Sequence, residues 1–314
     1  MTAGSCYVCL PHLAGETAFV DRLEGVCGPV TVHPGPNRPD RETLKRVVGE
    51  YDVVVCGVFE EFDREVAEAA DGLRALASLS AGLDHVDTAA FRERGVAVVG
   101  VEEANVVSVA EHALMLVLAV EKRLVESHRA VLDGEGRDGL AGRPRELQGK
   151  TVGVVGAGPI AHAVAERAAA FGTDVLVWTF RPENHGEFEA LGAQFVADLA
   201  DLVERADVVT LHLPLTEKTR SLVDLDLLAG VEADRHRTLV NTARAGIVDP
   251  AVLDRVGEGF VFDAAGLDVY PEDPPERERV YYTPHTAGVT REATARMRRE
   301  LVENLAAALD GGGS

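Results

Sequence analysis

The sequence has little cysteine and does not fit the pattern of a small disulfide-stabilised domain. Its 314 residues include 4 cysteines, namely Cys6, Cys9, Cys27 and Cys56. Secreted scaffolds that depend on disulfides are short and rich in cysteine, so this composition favours a reducing compartment. Cys6 and Cys9 have C-x-x-C spacing, but they stand in an apolar segment without a second ligand pair. We therefore predict buried thiols and no metal site.

The sequence also lacks a long apolar run. Its longest candidate, Ala113–Val120, is followed at once by Glu121-Lys122-Arg123, whereas a membrane span needs about 20 apolar residues. The first residues do not show the basic segment followed by an apolar segment that a secretory signal requires. We expect a cytoplasmic protein that does not enter a membrane.

Positive charge is scarce relative to negative charge. The chain has 31 Lys and Arg against 52 Asp and Glu, which gives a formal net charge of −21. Such a field repels the phosphates of nucleic acids and of anionic membranes, so we expect neither as a partner. It does not exclude a small anionic substrate, because individual arginines can override the overall field locally.

Short apolar segments alternate with helical stretches along the chain, which is typical of α/β proteins with parallel sheets. In the first third of the chain, the predicted strands lie near 5–10, 52–58 and 74–80. A second series starts at Thr151, and its further strands lie near 175–178, 208–213, 238–241, 262–268 and 280–283. The pattern predicts two doubly wound parallel sheets with helices on both faces.

One long helix is predicted over about 108–132, between the two series of strands. Ser108-Val109-Ala110-Glu111 has the spacing of a capping box at its start, and its apolar face is wide enough to be buried. A final helix over about 290–309 is expected to return to the first domain. We therefore expect one domain of residues 1–101 and 287–314, with a second domain of residues 102–286 inserted in it.

A glycine turn carries the clearest functional signal. Gly156-Ala157-Gly158-Pro159-Ile160-Ala161 follows an apolar strand and opens an alanine-rich helix. In such a strand–turn–helix unit, Gly156 permits the tight turn, Gly158 lets the backbone approach a pyrophosphate, and Ala161 permits close packing of helix on strand. The phosphate charge then lies at the helix N-terminus. The motif predicts a dinucleotide-binding domain of the Rossmann type.

Three segments place polar groups directly after predicted strands, where α/β folds carry catalytic groups. These groups are Arg244, the carboxylates around Asp273, and His285. An arginine can hold a substrate carboxylate in a two-pronged bond and polarise the adjacent carbonyl. A histidine can donate a proton to the carbonyl oxygen as hydride arrives at carbon, and a nearby carboxylate would raise its pKa and orient its ring. We interpret His112 and His212 as structural or cofactor-flanking groups.

The ordered motifs resemble those of the D-isomer-specific 2-hydroxyacid dehydrogenases over nearly the full length of the chain. The matching segments are Ala81–Asp87, Asn105–His112, the glycine turn, Leu211–Thr216, Asn241–Arg244, Leu267–Val269 and Thr283–His285. The resemblance implies a flavodoxin-like substrate domain with the Rossmann-type domain inserted in it. It also implies a homodimer built on the long helix near 108–132.

The resemblance assigns roles to individual positions. Arg244 and His285 match the catalytic arginine and histidine, and both contact the substrate. The catalytic carboxylate matches Asp273, five residues after Asp268, where the family usually has glutamate. Because aspartate is one methylene shorter, the loop moves inward, Glu272 substitutes for it, or His285 is less strongly supported.

The resemblance also places residues at the two ligands. Those expected at the cofactor are Ser108, Gly156, Gly158, Pro159, Ile160, Leu213, Pro214, Thr242, Ala243, Asp268 and Ala287. The backbone amides around Ala81 and Gly82 match the loop that holds the substrate carboxylate. Val58 or Phe59 is expected to form a wall of the substrate pocket.

The end of the second nucleotide-fold strand bears on the choice of cofactor. NAD-specific members carry an acid there that bonds the ribose hydroxyls, but this chain has Thr179 followed by Arg181. Thr179 can bond a 2′-phosphate and Arg181 can pair with it, whereas an aspartate would repel it. We therefore expect NADP(H) to be favoured, with NAD(H) possible.

The expected reaction is the reduction of a small 2-oxo acid, such as glyoxylate, hydroxypyruvate, pyruvate or a phosphonate analogue, to a D-2-hydroxy acid. Two alternatives remain open. Asn105 and the helix from Ser108 to His128 resemble those of formate dehydrogenases, although the carboxylate position beside His285 does not. Some proteins of the family act instead as nucleotide-sensing corepressors, which are binding modules.

Overall fold

The chain divides into two compact α/β units. The computed structural model describes residues 4–181, 185–274 and 277–311. One unit comprises Met1–Asn105 and Arg291–Ser314, and the other comprises Val106–Thr290. Each unit contains one sheet whose strand pairs are all parallel. The expected fold class, two parallel-sheet α/β domains, is therefore confirmed.

The first unit has a five-stranded sheet in the order β2-β1-β3-β4-β5. Its strands are β1 (Cys6–Val8), β2 (Val30–Val32), β3 (Val53–Cys56), β4 (Ala75–Ser78) and β5 (Ala97–Val99). Its helices are α1 (Thr17–Cys27), α2 (Arg41–Glu50), α3 (Arg64–Glu68), α4 (Thr88–Glu93) and α12 (Arg291–Gly311). Both α1 and the final helix α12 pack in this unit, and α12 contacts β4 and β5.

The central strands of this sheet are apolar on both faces, as a parallel sheet covered by helices requires. Every residue of β1, β3 and β4 is buried. Alternate residues enter two separate cores, so that Cys6 lies in one with α1 and α12, and Cys9 lies in the other with α2. All four cysteines are buried free thiols, which confirms the expectation for Cys6 and Cys9.

The second unit has a seven-stranded sheet in the order β12-β11-β10-β9-β6-β7-β8. Its strands are β6 (Thr151–Val155), β7 (Asp174–Trp178), β8 (Gln194–Phe195), β9 (Val208–Leu211), β10 (Thr238–Asn241), β11 (Ala264–Leu267) and β12 (Val280–Tyr282). Its helices are α5 (Val106–Glu121), α6 (Leu124–Leu132), α7 (Pro159–Ala170), α8 (His185–Ala190), α9 (Leu199–Arg205), α10 (Leu225–Leu228) and α11 (Pro250–Leu253).

The prediction of one helix over 108–132 is wrong. The helix breaks after Glu121, because Arg123 takes a left-handed backbone conformation with φ 53°, and α6 starts at Leu124. The first segment, α5, begins at Val106, so Ser108 lies inside the helix and is not its N-cap. The hydroxyl of Ser108 is instead 2.8 Å from that of Thr290.

The helix α5 is part of the core of the second unit. It packs against α7, β10 and β11, and the last of these contacts depends on a glycine. A Cβ built on Gly266 would lie 3.0 Å from the Cβ of Leu116. The absence of a side chain at Gly266 therefore lets α5 pack closely against β11.

Three strands were not anticipated from the sequence. They are β2, β5 and the two-residue β8, and their residues are mostly half-buried or exposed. None of the helices in the described part of the chain is long and apolar enough to cross a membrane.

Candidate active site

The glycine turn lies at the carboxyl end of β6, where the strand order in the sheet of the second unit reverses. The chain goes from β6 to β7 on one side, whereas β9 pairs with the other edge of β6. Loops that follow such neighbouring strands diverge and leave a crevice for ligands. This places the turn where a nucleotide binds in open α/β sheets.

Gly156 is fixed by both conformation and space. Its φ is 121°, and an added Cβ would lie 2.5 Å from the carbonyl oxygen of His212. The amide of His212 in turn donates to the carbonyl of Val155. The loops after β6 and β9 are therefore in direct backbone contact, which only glycine permits.

The N-terminus of α7 has room for an anion. Gly158 is its N-cap, provides no side-chain cap and is followed by Pro159. A Cβ added at Gly158 would meet no protein atom within 4 Å. The first amides of a helix have no partner within it, so the half-buried Ile160 and its neighbours can bind a pyrophosphate here.

The loop after β9 is held by a buried threonine. The hydroxyl of Thr219 donates to the carbonyl of Pro214 at 2.6 Å and accepts the amide of Thr216 at 2.7 Å. Leu213 is half-buried and Pro214 is exposed. These bonds define the path of the segment, and its contact with the cofactor stays a prediction.

One buried polar atom at the end of β10 lacks a partner. The hydroxyl oxygen of Thr242 is buried and forms no hydrogen bond within the described parts of the chain, whereas the amide of Ala243 is taken by Asn241 Oδ1 at 3.0 Å. A buried hydroxyl without a partner is costly, so a bound group is expected to supply one. Together with the space at Gly158, this fits a dinucleotide.

The residues expected at the ribose follow β7. The backbone amide of Arg181 donates to Thr179 Oγ1 at 3.1 Å, and the Arg181 side chain is exposed. Thr179 thus holds the local turn that presents Arg181 to solvent.

Arg244 lies in a short extended link after β10. Its guanidinium donates to the carbonyl of Ala243 at 2.8 Å, and its own carbonyl accepts from Asn241 Nδ2 at 3.0 Å. The side chain is half-buried. Asn241 therefore positions the backbone on both sides of Ala243 and orients the arginine.

A single buried carboxylate organises the segment that carries His285. Asp268 is fully buried and accepts three hydrogen bonds, from Thr283 Oγ1 at 2.5 Å and from the amides of Thr286 and Ala287 at 2.9 Å each. The amide of His285 also donates to the carbonyl of Asp268 at 3.1 Å. These bonds hold His285 in a left-handed conformation, with φ 56°.

The charges around His285 act in opposite directions. Partial burial of the ring lowers the pKa of His285 below its usual value of 6.5, although the residue as a whole remains exposed. The carboxylate of Asp268 raises this pKa and the guanidinium of Arg244 lowers it. The structure therefore brings Arg244, Asp268 and His285 within electrostatic reach of each other.

His112 belongs to the same network. Its Nε2 is 2.8 Å from Thr283 Oγ1 and 3.4 Å from Asp268 Oδ1. Burial lowers the pKa of His112, and Asp268 opposes this shift. The contact joins α5 to the end of β12, and sequence reasoning missed it because the two segments lie far apart in the chain.

The carboxylates expected to support His285 are placed differently from Asp268. Asp273 and Glu272 are both exposed, whereas the carboxylate that acts on the pKa of His285 is the buried Asp268. Burial lowers the pKa of His285 more than the charge of Asp268 raises it, so the net shift is downward. The role of Asp273 stays a prediction.

The residues expected at the substrate in the first unit follow β3 and β4. Ala81 and Phe59 are exposed, and Gly82 is half-buried. The hydroxyl of Ser80 donates to the carbonyl of Gly82 at 2.6 Å, so this loop is held by a short-range hydrogen bond close to the end of β4. Their substrate contacts stay predictions.

Comparison with known proteins gives consistent matches. Residues 114–287 match the family model of the D-isomer specific 2-hydroxyacid dehydrogenase, NAD binding domain. A glyoxylate reductase of Thermofilum pendens is 33% identical over 299 residues, which cover 91% of this chain and 86% of that protein. The crystal structure of the TT0316 protein from Thermus thermophilus has a TM-score of 0.82 and 34% identity, covering 98% of this chain and 97% of that one.

Another group of relatives is longer than this chain. A D-3-phosphoglycerate dehydrogenase of Mycobacterium tuberculosis is 37% identical over 282 residues, covering 87% of this chain but 52% of that protein. The chain thus spans about half the length of these relatives.

Proposed function

The chain belongs to the D-isomer specific 2-hydroxyacid dehydrogenase family and is an oxidoreductase with an NAD(P)-binding domain, and from this premise we propose that it reduces a small 2-oxo acid to a D-2-hydroxy acid with NADPH favoured. The observation that carries the proposal is the placement of Arg244 and His285 around the buried carboxylate of Asp268. Glyoxylate, hydroxypyruvate, pyruvate and their phosphonate analogues are the substrate candidates.

The residues of this chain divide the work between binding and proton transfer. A bound nicotinamide would supply the hydride. Arg244 binds the substrate carboxylate and polarises the neighbouring carbonyl through charge-assisted hydrogen bonds. His285 donates a proton to the carbonyl oxygen in reduction and accepts one from the hydroxyl in oxidation.

Because the pKa of His285 is lowered, its protonated ring gives up a proton readily. Because burial and Arg244 both favour the neutral ring, the protonated form is a stronger acid than an ordinary histidine. An incoming substrate carboxylate that neutralises Arg244 would remove one of these two influences. Substrate binding would thereby promote protonation of His285 in the complex.

The activity test follows the loss of reduced-nicotinamide absorbance with each cofactor against a panel of 2-oxo acids. We expect turnover with at least one acid, and His285→Ala is expected to lower it by ~10²–10⁴-fold. Near-normal turnover in His285→Ala would remove this residue from the mechanism. Absence of turnover despite cofactor binding would favour a sensory protein.

We further propose that Thr179 and Arg181 select NADPH. Arg181→Ala is expected to raise the NADPH Michaelis constant by about tenfold or more and to leave that of NADH nearly unchanged, since only NADPH carries the 2′-phosphate. Arg137→Ala, at another exposed arginine of the same unit, controls for the change in net charge. An unchanged NADPH constant would contradict the proposal.

We also propose a homodimer, with α6 at its interface. Four apolar side chains of this helix are solvent-exposed in the single chain, namely Leu124, Val125, Val131 and Leu132. Leu124 and Val131 are seven residues apart, as are Val125 and Leu132, which places all four on one face of the helix. Contiguous exposed apolar surface of this kind marks interaction sites, and a second copy of the chain is the partner that the family resemblance implies.

A further inference from the structure

A second histidine contacts the carboxylate network of the site and has no role in the mechanism above. His112 lies in the second turn of α5, and its side chain is 16% exposed. Its Nε2 is 2.8 Å from Thr283 Oγ1 and 3.4 Å from Asp268 Oδ1. All three residues belong to the unit Val106–Thr290. An ionisable ring on α5 therefore contacts the same carboxylate that holds the segment of His285.

The directions of the hydrogen bonds fix the protonation of the His112 ring. A carboxylate only accepts hydrogen bonds, so the Thr283 hydroxyl donates its one proton to Asp268 Oδ1, at 2.5 Å. Thr283 Oγ1 then accepts from His112, whose Nε2 must carry a proton. Because burial lowers the pKa of His112 more than Asp268 raises it, the ring is neutral at neutral pH and its Nδ1 carries no proton. Two donors in series therefore end on the Asp268 carboxylate.

The buried charge of Asp268 is compensated by neutral donors. The residue is fully buried, and its carboxylate accepts from the Thr283 hydroxyl and from the amides of Thr286 and Ala287. A buried carboxylate is costly unless hydrogen bonds compensate its charge. Hydrogen bonds in a chain polarise one another, so the N–H of His112 strengthens the bond from Thr283 to Asp268.

The same threonine also holds the backbone of His285. The amide of His285 lies 2.9 Å from the carbonyl of Thr283 and 3.1 Å from that of Asp268. Thr283 is thus bonded to Asp268 through its side chain and to His285 through its backbone. A change in the orientation of the Thr283 or Asp268 side chain would disturb the segment that carries the imidazole.

We propose that His112 is a positioning residue of the reaction, whose Nε2–H acts through the Thr283 hydroxyl to hold the Asp268 carboxylate and the segment of His285. The inference rests on the proposed proton transfer by His285 and adds a residue that acts through others. Packing alone does not require a histidine at this position. A leucine would fill the contact between α5 and β12, but it would leave Thr283 Oγ1 without its donor.

Kinetics of the full chain separate the hydrogen bond from packing. His112→Leu fills a similar volume without a donor, whereas His112→Gln keeps an N–H group. With NADPH and the best 2-oxo acid of the panel, we expect His112→Leu to lower kcat by about 5- to 10-fold, the size of one hydrogen bond. KM for the acid should change by less than about twofold, because the binding arginine is untouched. His112→Gln should restore kcat to within about twofold of wild type.

A second substitution in the same chain tests whether His112 acts through the threonine. Thr283→Val removes the hydroxyl at nearly the same shape and should lower kcat by a similar factor. The double variant His112→Leu/Thr283→Val should lose little more than either single variant, because both changes break one chain of hydrogen bonds. Losses that multiply, or a failure of His112→Gln to restore kcat, would overturn the proposal.

His236→Leu is the matched control. His236 is also half-buried beside carboxylates, those of Glu121 and Asp263, but it precedes β10 and so lies at the opposite edge of the sheet from His285. Its loss should leave kcat near that of wild type. An equal loss of kcat in His236→Leu would assign the effect to general destabilisation and would contradict the role of His112.

Nuclear magnetic resonance of the ring nitrogens tests the arrangement without turnover. We expect the neutral His112 ring to carry its proton on Nε2, and a ring protonated on Nδ1 alone would overturn the proposal. The pKa of His285, which Asp268 raises and Arg244 lowers, should fall in His112→Leu, because a less firmly held carboxylate stabilises the charged ring less. It should stay unchanged in His112→Gln.

The two kinds of measurement separate this inference from the proposed activity. If the pKa of His285 responds in this way but no 2-oxo acid is reduced, the positioning by His112 stands and the reductase proposal fails. If a 2-oxo acid is reduced and His112→Leu keeps the wild-type kcat, the reductase stands and the positioning role fails.

Discussion

At the scale of single residues, the geometry of the site depends on the hydrogen bonds that the carboxylate oxygens of Asp268 accept. A carboxylate only accepts hydrogen bonds, and both oxygens of Asp268 are taken by donors on either side of His285. A non-glycine residue at positive φ costs about 1–3 kcal/mol unless its surroundings hold it there. The bonds to Asp268 offset that cost and hold the backbone segment that carries the imidazole.

The pH dependence of catalysis should report the charge of Asp268. In the proposed mechanism reduction needs protonated His285, so we expect kcat/KM for reduction to fall as pH rises through the pKa of His285, which burial places below 6.5. Asp268→Asn removes the charge that raises this pKa, and we expect the falling limb to move to lower pH. The rising limb for oxidation, which needs the neutral ring, should move in the same direction.

The measurement is a pair of pH–rate profiles for each variant. Asp254→Asn, at an exposed aspartate of the same unit, controls for the general loss of a negative charge. Limbs that stay at the same pH in Asp268→Asn would show that Asp268 does not act on His285.

His212 should couple stability to pH. Burial lowers the pKa of His212 to about 3, and its Nε2 is 2.9 Å from Thr210 Oγ1. Between pH 6.5 and 3 the unfolded chain binds a proton there that the folded chain does not, so acidification lowers the free energy of unfolding by at most about 1.4 kcal/mol per pH unit.

Removing the ring should remove this dependence. Chemical denaturation gives the free energy of unfolding of wild type and His212→Gln at pH 6.5 and pH 5. Between these pH values we expect wild type to lose about 2 kcal/mol more than His212→Gln. His128→Gln, at an exposed histidine, should behave like wild type. A parallel loss in wild type and His212→Gln would show that His212 titrates normally.

At the scale of elements, the glycine turn has two requirements, a close backbone contact at Gly156 and open space for the cofactor at Gly158. Substitutions at the two positions distinguish them. Gly156→Ala puts a Cβ 2.5 Å from the His212 carbonyl at a φ of 121°, and we expect a loss of about 1–3 kcal/mol in stability together with weaker cofactor binding. Gly158→Ala meets open space, so stability should be nearly kept while cofactor affinity falls. Denaturation and cofactor titration on both variants test this; equal destabilisation would contradict it.

Sequence patterns predicted the elements that are long, buried or chemically marked. The central strands and the turn at Gly156 were predictable because parallel strands covered on both faces are continuously apolar. The edge strands β2, β5 and β8 were missed, since short half-buried segments carry no clear period. The break at Arg123 and the contact of His112 with Thr283 depend on tertiary packing, which no local pattern reports.

At the scale of the whole molecule, the net charge and the exposed apolar residues act on association in opposite directions. The net charge of −21 favours solubility and disfavours association between copies at random orientations. The exposed apolar residues of α6, of which Val131 and Leu132 are about 70% exposed, favour association instead. Association through this helix would cover surface that a monomer leaves in water.

Sedimentation tests the proposed dimer. We expect wild type to sediment as a dimer at micromolar concentration and Leu132→Glu as a monomer, because a charge buried at an apolar interface costs several kcal/mol. Phe171→Glu, at another exposed apolar residue of the same unit, should remain dimeric. A wild-type monomer would remove the proposal.

The position of α12 has a consequence for biosynthesis. Ala293, Met297, Leu301 and Leu305 complete a core of the first unit together with Phe19 and Leu23, although more than 260 residues of chain separate them. The second unit is continuous from Val106 to Thr290 and can close while translation proceeds. The first unit emerges from the ribosome earlier but must keep this apolar face open until α12 arrives, so during synthesis it is the part of the protein that most needs a chaperone.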